Sequence, residues 1–199
     1  LEFSYCTIPN ELVPFDYQTF EAFPGHVEAG VTNLETGQAE YKEVTTEDKH
    51  FRLLQATCAM PLMFPVFHLD GKPYLDGGAA DAVPYRRAFE QGCDRVVVIL
   101  TKPRSFVRKP EKLLPLIQRR YREYPNFCRT MEERPERDNQ SRAELFRLEK
   151  EGKALVIAPN TLHGVGRIEH NVDKLRMLWA EGYQQGMENM EQIRSFMDR

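Results

Sequence analysis

A chain of 199 residues with 41% hydrophobic and 29% charged content has enough apolar material for a folded core, which argues against both a disordered chain and a membrane protein. Its net charge of −3 singles out no class of partner, and no nucleic-acid partner is expected. No apolar run approaches the roughly 18 residues of a spanning helix, and the opening residues lack the basic start and apolar stretch of a signal peptide.

The chain opens on Leu1 rather than Met, so Leu1 is not expected to be the natural start. Cys6, Cys58, Cys93 and Cys128 show neither CxxC pairing nor zinc-ligand spacing with a His. Buried free thiols in a reducing compartment are the expectation, which suits a cytoplasmic protein.

In chain order, Pro14 to Ala22 reads as a short helix with Pro near its first turn. Val27–Asn33 and Gln38–Val44 read as strands, joined by Leu34-Glu35-Thr36-Gly37 as a hairpin turn. Thr45-Thr46-Glu47-Asp48 offers a helix start, and Phe51, Leu54 and Cys58 continue at helical spacing to Met60-Pro61. Val66–Leu69 and Pro73–Leu75 flank Asp70-Gly71 as a second tight hairpin. Pro84 to Gln91 is a predicted helix ended by Gly92. Arg95–Leu100 (RVVVIL) and Ala154–Ala158 (ALVIA) have the continuous β-branched character of strands buried on both faces of a parallel sheet. From Asn171 onward, Val172, Leu175, Trp179, Tyr183, Met187, Met190, Ile193 and Met197 recur at steps of three or four, a stripe read as core contact. Gly182 and Gly186 weaken that helix and leave room for close approach by another element. Alternating strands and helices argue for an α/β layer fold in one domain spanning residues 1–199, with a helical extension at about 171–199.

Asp76 follows a short strand and precedes Gly77-Gly78. A carboxylate at a strand end can line a ligand crevice, and two glycines let the backbone turn sharply beside it. Taken alone, Asp-Gly-Gly is an ordinary turn. The surroundings add to it: ATCAMPLMFPVF at Ala56–Phe67, then YLDGGAADAVP at Tyr74–Pro84. Together these resemble the patatin-like phospholipase family over its acid-bearing half. IPNELVPFDYQTF, TNLETGQAEY and the stretch APNTLHGVGRIEHNVDKLRMLWAEGY resemble a bacterial branch of it; the match is unspecific from about Pro103 to Lys150.

The resemblance implies a three-layer α/β/α fold and acyl ester hydrolysis by a Ser–Asp dyad. Asp76 would be the dyad acid, and Gly77 and Gly78 would complete its motif. Neither a cofactor nor a metal is implied. Ser4, Ser105, Ser141 and Ser195 all lack the flanking glycines of a GxSxG elbow, and no Gly-rich oxyanion loop is present. The chain is therefore expected to be an incomplete, C-terminal portion of such an enzyme, inactive alone, associating with its missing half or with itself. Readings as a non-catalytic relative that kept the fold, or as a nucleotide-binding domain, stand beside it. The second is disfavoured because GVGRI at Gly164–Ile168 is too short for a phosphate loop.

Four further features have plainer readings. Cys58 is expected to be a buried core thiol rather than a substitute nucleophile. Asp81 is expected to cap the helix near Pro84 or to fix its loop. Of His26, His50, His68, His163 and His170, no pair has metal-binding helical spacing, and His163 reads as a loop residue. Nine basic residues between Lys102 and Arg129, opposed by Glu111 and Glu123, surround Leu113, Leu114, Leu116 and Ile117. That stretch is read first as a solvated face and second as peripheral contact with an anionic membrane.

Overall fold

The computed structural model describes residues 2–48, 50–166 and 168–198. A wide helical segment, Phe3–Leu12, opens the chain, followed by α1 (Tyr17–Glu21), β1 (Glu28–Asn33), β2 (Ala39–Glu43), α2 (Arg52–Thr57), β3 (Phe67–Leu69) and β4 (Lys72–Asp76). Then come α3 (Tyr85–Glu90), β5 (Val96–Ile99), α4 (Leu114–Arg120), α5 (Pro125–Lys150), β6 (Ala154–Ile157), α6 (Val172–Glu188) and α7 (Met190–Met197). The fold is mixed α/β. Two compact units form, Leu1–Ala82 with Lys109–Asp138, and Val83–Arg108 with Asn139–Arg199. No helix among the described residues is long and apolar enough to cross a membrane.

The first unit is built on a four-stranded antiparallel sheet in the order β2-β1-β4-β3. The β1–β2 turn is fixed by Asn33, whose Oδ1 accepts from the backbone N–H groups of Glu35 (2.9 Å) and Thr36 (3.2 Å). Asp70 and Gly71 both take left-handed φ values, 52° and 76°, as the two-residue β3–β4 turn requires. Side chains alternate across β4. Tyr74 packs with Val31, Leu53 and Ala56, while Leu75 packs with Ile117, Phe127 and Met131 on the opposite side. Complete burial of Leu75, Phe127 and Met131 contributes about 2 kcal/mol each.

Two helix starts differ from expectation. Asp16 caps α1 through the N–H of Thr19 at 2.9 Å, so the helix begins after Pro14 rather than around it. Asp48 accepts from the N–H of Leu53 at 3.0 Å, but Phe51 takes φ 49° and delays α2 until Arg52. The strand that carries Asp76 lies in the hairpin expected across Asp70-Gly71: β4 runs antiparallel to β3, and β1 pairs with it antiparallel on the other side.

In the second unit, β5 and β6 pair in parallel, with Val96 opposite Ala154 and Ile99 opposite Ile157. Their core gathers Tyr85, Val96, Val98, Leu100, Leu145, Ala154 and Val156. Tyr85 donates to the Ser141 carbonyl at 3.1 Å, and Arg86 pairs with Glu144. The Arg104 guanidinium grips Glu149 through two hydrogen bonds, 2.7 and 2.6 Å, and holds its carboxyl below the ordinary range against the opposing effect of burial.

The expectation of burial on both faces fails for β5. Val96 and Val98 are buried, but Ile99 is 75% exposed, on the alternate face of a strand that has one neighbour among the described residues. The C-terminal stripe is also corrected. It forms two helices rather than one, and its side chains are not core: Trp179 is 70% exposed and Tyr183 61%, stacked on each other with ring centroids 5.6 Å apart. Among the described residues nothing lies within 4 Å of a Cβ built at Gly182 or Gly186, so none of them makes the close approach those glycines would allow.

The stretch that resembled nothing specific holds the longest helix, α5, of 26 residues. Its residues up to Asp138 belong to the first unit and those from Asn139 to the second. An apolar pattern misses it because its buried positions include Thr130, Asp138, Ser141 and Arg142 along with Phe127, Met131 and Leu145.

Candidate functional site

Asp76 ends β4 opposite Val31. Its backbone is tied on both sides. The N–H donates to the Ala59 carbonyl (3.0 Å), and the carbonyl accepts from Thr32 Oγ1 (2.8 Å). The same Thr32 oxygen accepts from the N–H of Ala80 at 3.1 Å, closing the turn. The Asp76 carboxylate folds over this turn, with Oδ1 accepting from the Gly78 N–H at 2.7 Å. Asp76 itself stays half-buried.

Gly77 is required by space. A Cβ there would lie 2.1 Å from the Gly30 carbonyl oxygen, a collision with backbone that cannot rotate away. At Gly78 a Cβ would lie 3.0 Å from Asp76 Oδ1 and 3.6 Å from Arg134 Nη2. The glycines therefore let β4 and its turn press against β1 while Asp76 stays half-buried. Among the described residues the structure brings Asp76, Gly77 and Gly78 together as one rigid turn.

Asp81 fixes the loop rather than capping a helix. Its Oδ2 accepts from the Tyr41 hydroxyl at 2.6 Å, while Pro84 stands at the N-cap of α3 with no side-chain hydrogen bond. Beneath the sheet, Tyr74 donates to Glu40 at 2.6 Å. Burial and that carboxylate push the Tyr74 hydroxyl up.

Arg134, Arg137 and Asp138 are the neighbours that sequence reasoning missed. Arg137 Nη2 donates to the Ala79 carbonyl at 2.6 Å. Arg134 Nε lies 3.7 Å from Asp138 Oδ2. The signal that could have found them is their i, i+4 and i, i+3 spacing after Thr130 on a helix anchored by Phe127 and Met131.

The thiols are not where they were expected. Cys58 and Cys93 are exposed and Cys6 and Cys128 half-buried; all four are free. Cys58 follows the last turn of α2, whose buried face is already filled by Leu53 and Ala56. Burial and a hydrogen bond to Cys58 push the Tyr5 hydroxyl up to about 12. Cys6 Sγ lies 3.8 Å from His50 Nδ1, but desolvation and Glu2 push its thiol up, against what a nucleophile needs. His163 sits in the loop between β6 and α6, its Nε2 2.5 Å from Glu181 Oε2. GVGRI lies in that loop too, and its Arg167 falls outside the described residues.

Residues 5–89 match the family described as Patatin-like phospholipase. The matched segment, which includes the Asp76 turn, is similar to that family. A second match covers residues 124–198, described as a Domain of unknown function (DUF6363), which takes in α5, β6, α6 and α7. No curated protein matches the chain. The patatin-like segment thus carries Asp76, Gly77 and Gly78, and the residues that reach toward its turn from α5 come from the second matched region.

Proposed function

We propose that this chain supplies the acid of a serine lipid acyl hydrolase, in which Asp76 pairs with a serine these 199 residues do not contain in a GxSxG elbow. The observation that carries the reading is the Asp76 turn within the patatin-like segment. A carboxylate is held at a strand end by Gly78 N–H, on a backbone that only glycine at position 77 permits. In the complete site the serine hydroxyl attacks the acyl carbon and gives its proton to Asp76. The leaving alcohol takes that proton. Water, deprotonated by Asp76, then attacks the acyl-enzyme and restores the serine. The fold implied is the three-layer α/β/α patatin-like arrangement, of which this chain would be the C-terminal part with a helical extension from about residue 171.

The purified chain is expected to turn over no p-nitrophenyl ester, and Asp76→Ala in the longer enzyme to abolish its turnover. A fully active Asp76→Ala enzyme would sink the dyad. The missing elbow favours one second reading, a non-catalytic module with the same fold, and a parent sequence without GxSxG would select it.

The same proposal puts the protein in the cytoplasm, at a membrane surface, with a lipid or soluble ester as substrate. Four free thiols support the compartment. Leu113 and Leu116 are about half exposed beside exposed Arg119, Arg120 and Arg122, which supports membrane contact within the Lys102–Arg129 stretch. Co-sedimentation with anionic vesicles should fall when these three arginines become Glu; unchanged binding removes that contact. The exposed apolar side chains of α6 and α7 support pairing with the missing half or a second copy.

A further inference from the structure

The face of α5 that meets the acid turn is polar and charged. Asn126 Nδ2 donates to the Glu35 carbonyl at 2.8 Å, Thr130 Oγ1 to the Gly37 carbonyl at 2.7 Å, and Arg137 Nη2 to the Ala79 carbonyl at 2.6 Å. Positions 126, 130, 134, 137 and 138 share one face of the helix. Arg134 is therefore delivered between the clamp on Gly37 and the clamp on Ala79. Its Nη2 lies 3.6 Å from the point a Cβ at Gly78 would occupy, and Asp76 Oδ1 lies 3.0 Å from that same point. Behind the guanidinium stands Asp138, whose side chain is 5% exposed, with Oδ2 3.7 Å from Arg134 Nε.

We propose that Arg134 is a positioning residue for Asp76: its guanidinium holds the carboxylate charged and aimed across Gly78, and Asp138 orients the guanidinium from the other side. The proposal rests on the reading of Asp76 as a dyad acid. A base must be ionised to accept a hydroxyl proton. An opposite charge within about 4–6 Å favours that form, and a rigid one also fixes its direction. Gly78 lacks the side chain that would stand between the two groups. The other charged or titratable groups around the turn are Arg137 and Asp138 from α5, Asp81 from the loop that follows, and Tyr41 from β2; β1 presents neutral Thr32. The region matched as a Domain of unknown function would then have a stated task, to complete the acid side of a patatin-like site.

The test is a carbon-13 carboxyl NMR titration of Asp76 in the full 199-residue chain. Arg134→Gln is expected to raise the Asp76 midpoint by about one pH unit or more. Arg134→Lys, which keeps the charge, is expected to stay close to wild type. An unchanged midpoint in an Arg134→Gln chain that retains its folded amide spectrum overturns the proposal. Where Arg134→Gln does not fold, Asp76→Asn gives the reciprocal measurement: the Nε–Hε resonance of Arg134 should move, and an unmoved resonance overturns the proposal equally. Neither measurement involves ester turnover. The dyad reading fails in the esterase assay alone, and the Arg134 assignment fails in the titration alone.

Discussion

The Asp76 turn and the C-terminal helices both combine paired glycines with large apolar neighbours, yet the two regions use them in opposite ways. At the turn, Gly77 sits against backbone at a distance no side chain tolerates, and Tyr74 and Leu75 just before it are completely buried. In α6, Gly182 and Gly186 face open space, and Trp179 and Tyr183 lie mostly in solvent. A periodic apolar stripe states which side of a helix is greasy. It does not state that anything covers that side. Glycine is equally ambiguous in sequence, since a helix pays for it unless a partner uses the space.

The largest expected effect breaks the comparison at its tightest point. Gly77→Ala should destabilise the chain by about 3 kcal/mol, since backbone must shift to admit the methyl group. Gly182→Ala should stabilise it by up to about 1 kcal/mol through helix propensity. Urea unfolding of the two variants reads both signs, and a destabilising Gly182→Ala would reveal a hidden neighbour of α6.

Apolar truncation sharpens the same contrast. Leu75→Ala is expected to cost about 3 kcal/mol, the scale for a core leucine, whereas Trp179→Ala should stay within about 0.5 kcal/mol. A large loss at Trp179 that grows with protein concentration would mean the stripe is covered by a second copy.

The smallest effect lies in the second unit. Glu149 is held below its ordinary value of 4.5 by the hydrogen bonds from Arg104. A carboxyl depressed in the folded state stabilises it above the unfolded value, and that contribution is lost as pH falls through the lower folded value. The pair is partly exposed, so roughly 1 kcal/mol or less is at stake. Arg104→Met should remove this acid-side component from the urea midpoint plotted against pH; an unchanged profile would show that the pair contributes nothing.

Much of the first unit was legible because its signals are local. Asn33 and Gly37, and Asp70 with Gly71, announce their turns within four residues, and the β3–β4 hairpin formed where expected. The Asp76 turn was legible for the same reason, as a motif in contiguous sequence. Arg134 was not, because its relation to the turn is made by a helix whose buried stripe is partly polar, 58 residues after Asp76. Asp138, Ser141 and Arg142 are buried through hydrogen bonds and ion pairs, and an apolar count is blind to such positions. Exposure of Ile99 and Trp179 was illegible for a different reason: pattern gives orientation, while cover comes from elsewhere in space.

The contact from Arg137 to the Ala79 carbonyl spans 58 residues of chain. During synthesis at roughly 5–20 residues per second, the hairpin strands and the acid turn exist for about 3–12 s before α5 has been made far enough to reach them. In that interval the turn has its partners from Ala59, Thr32 and Gly78 but not the one from Arg137. Closing so long a loop is slow compared with forming a hairpin. The last hydrogen bond of the Asp76 turn to become possible is thus the one that waits for α5 to leave the ribosome.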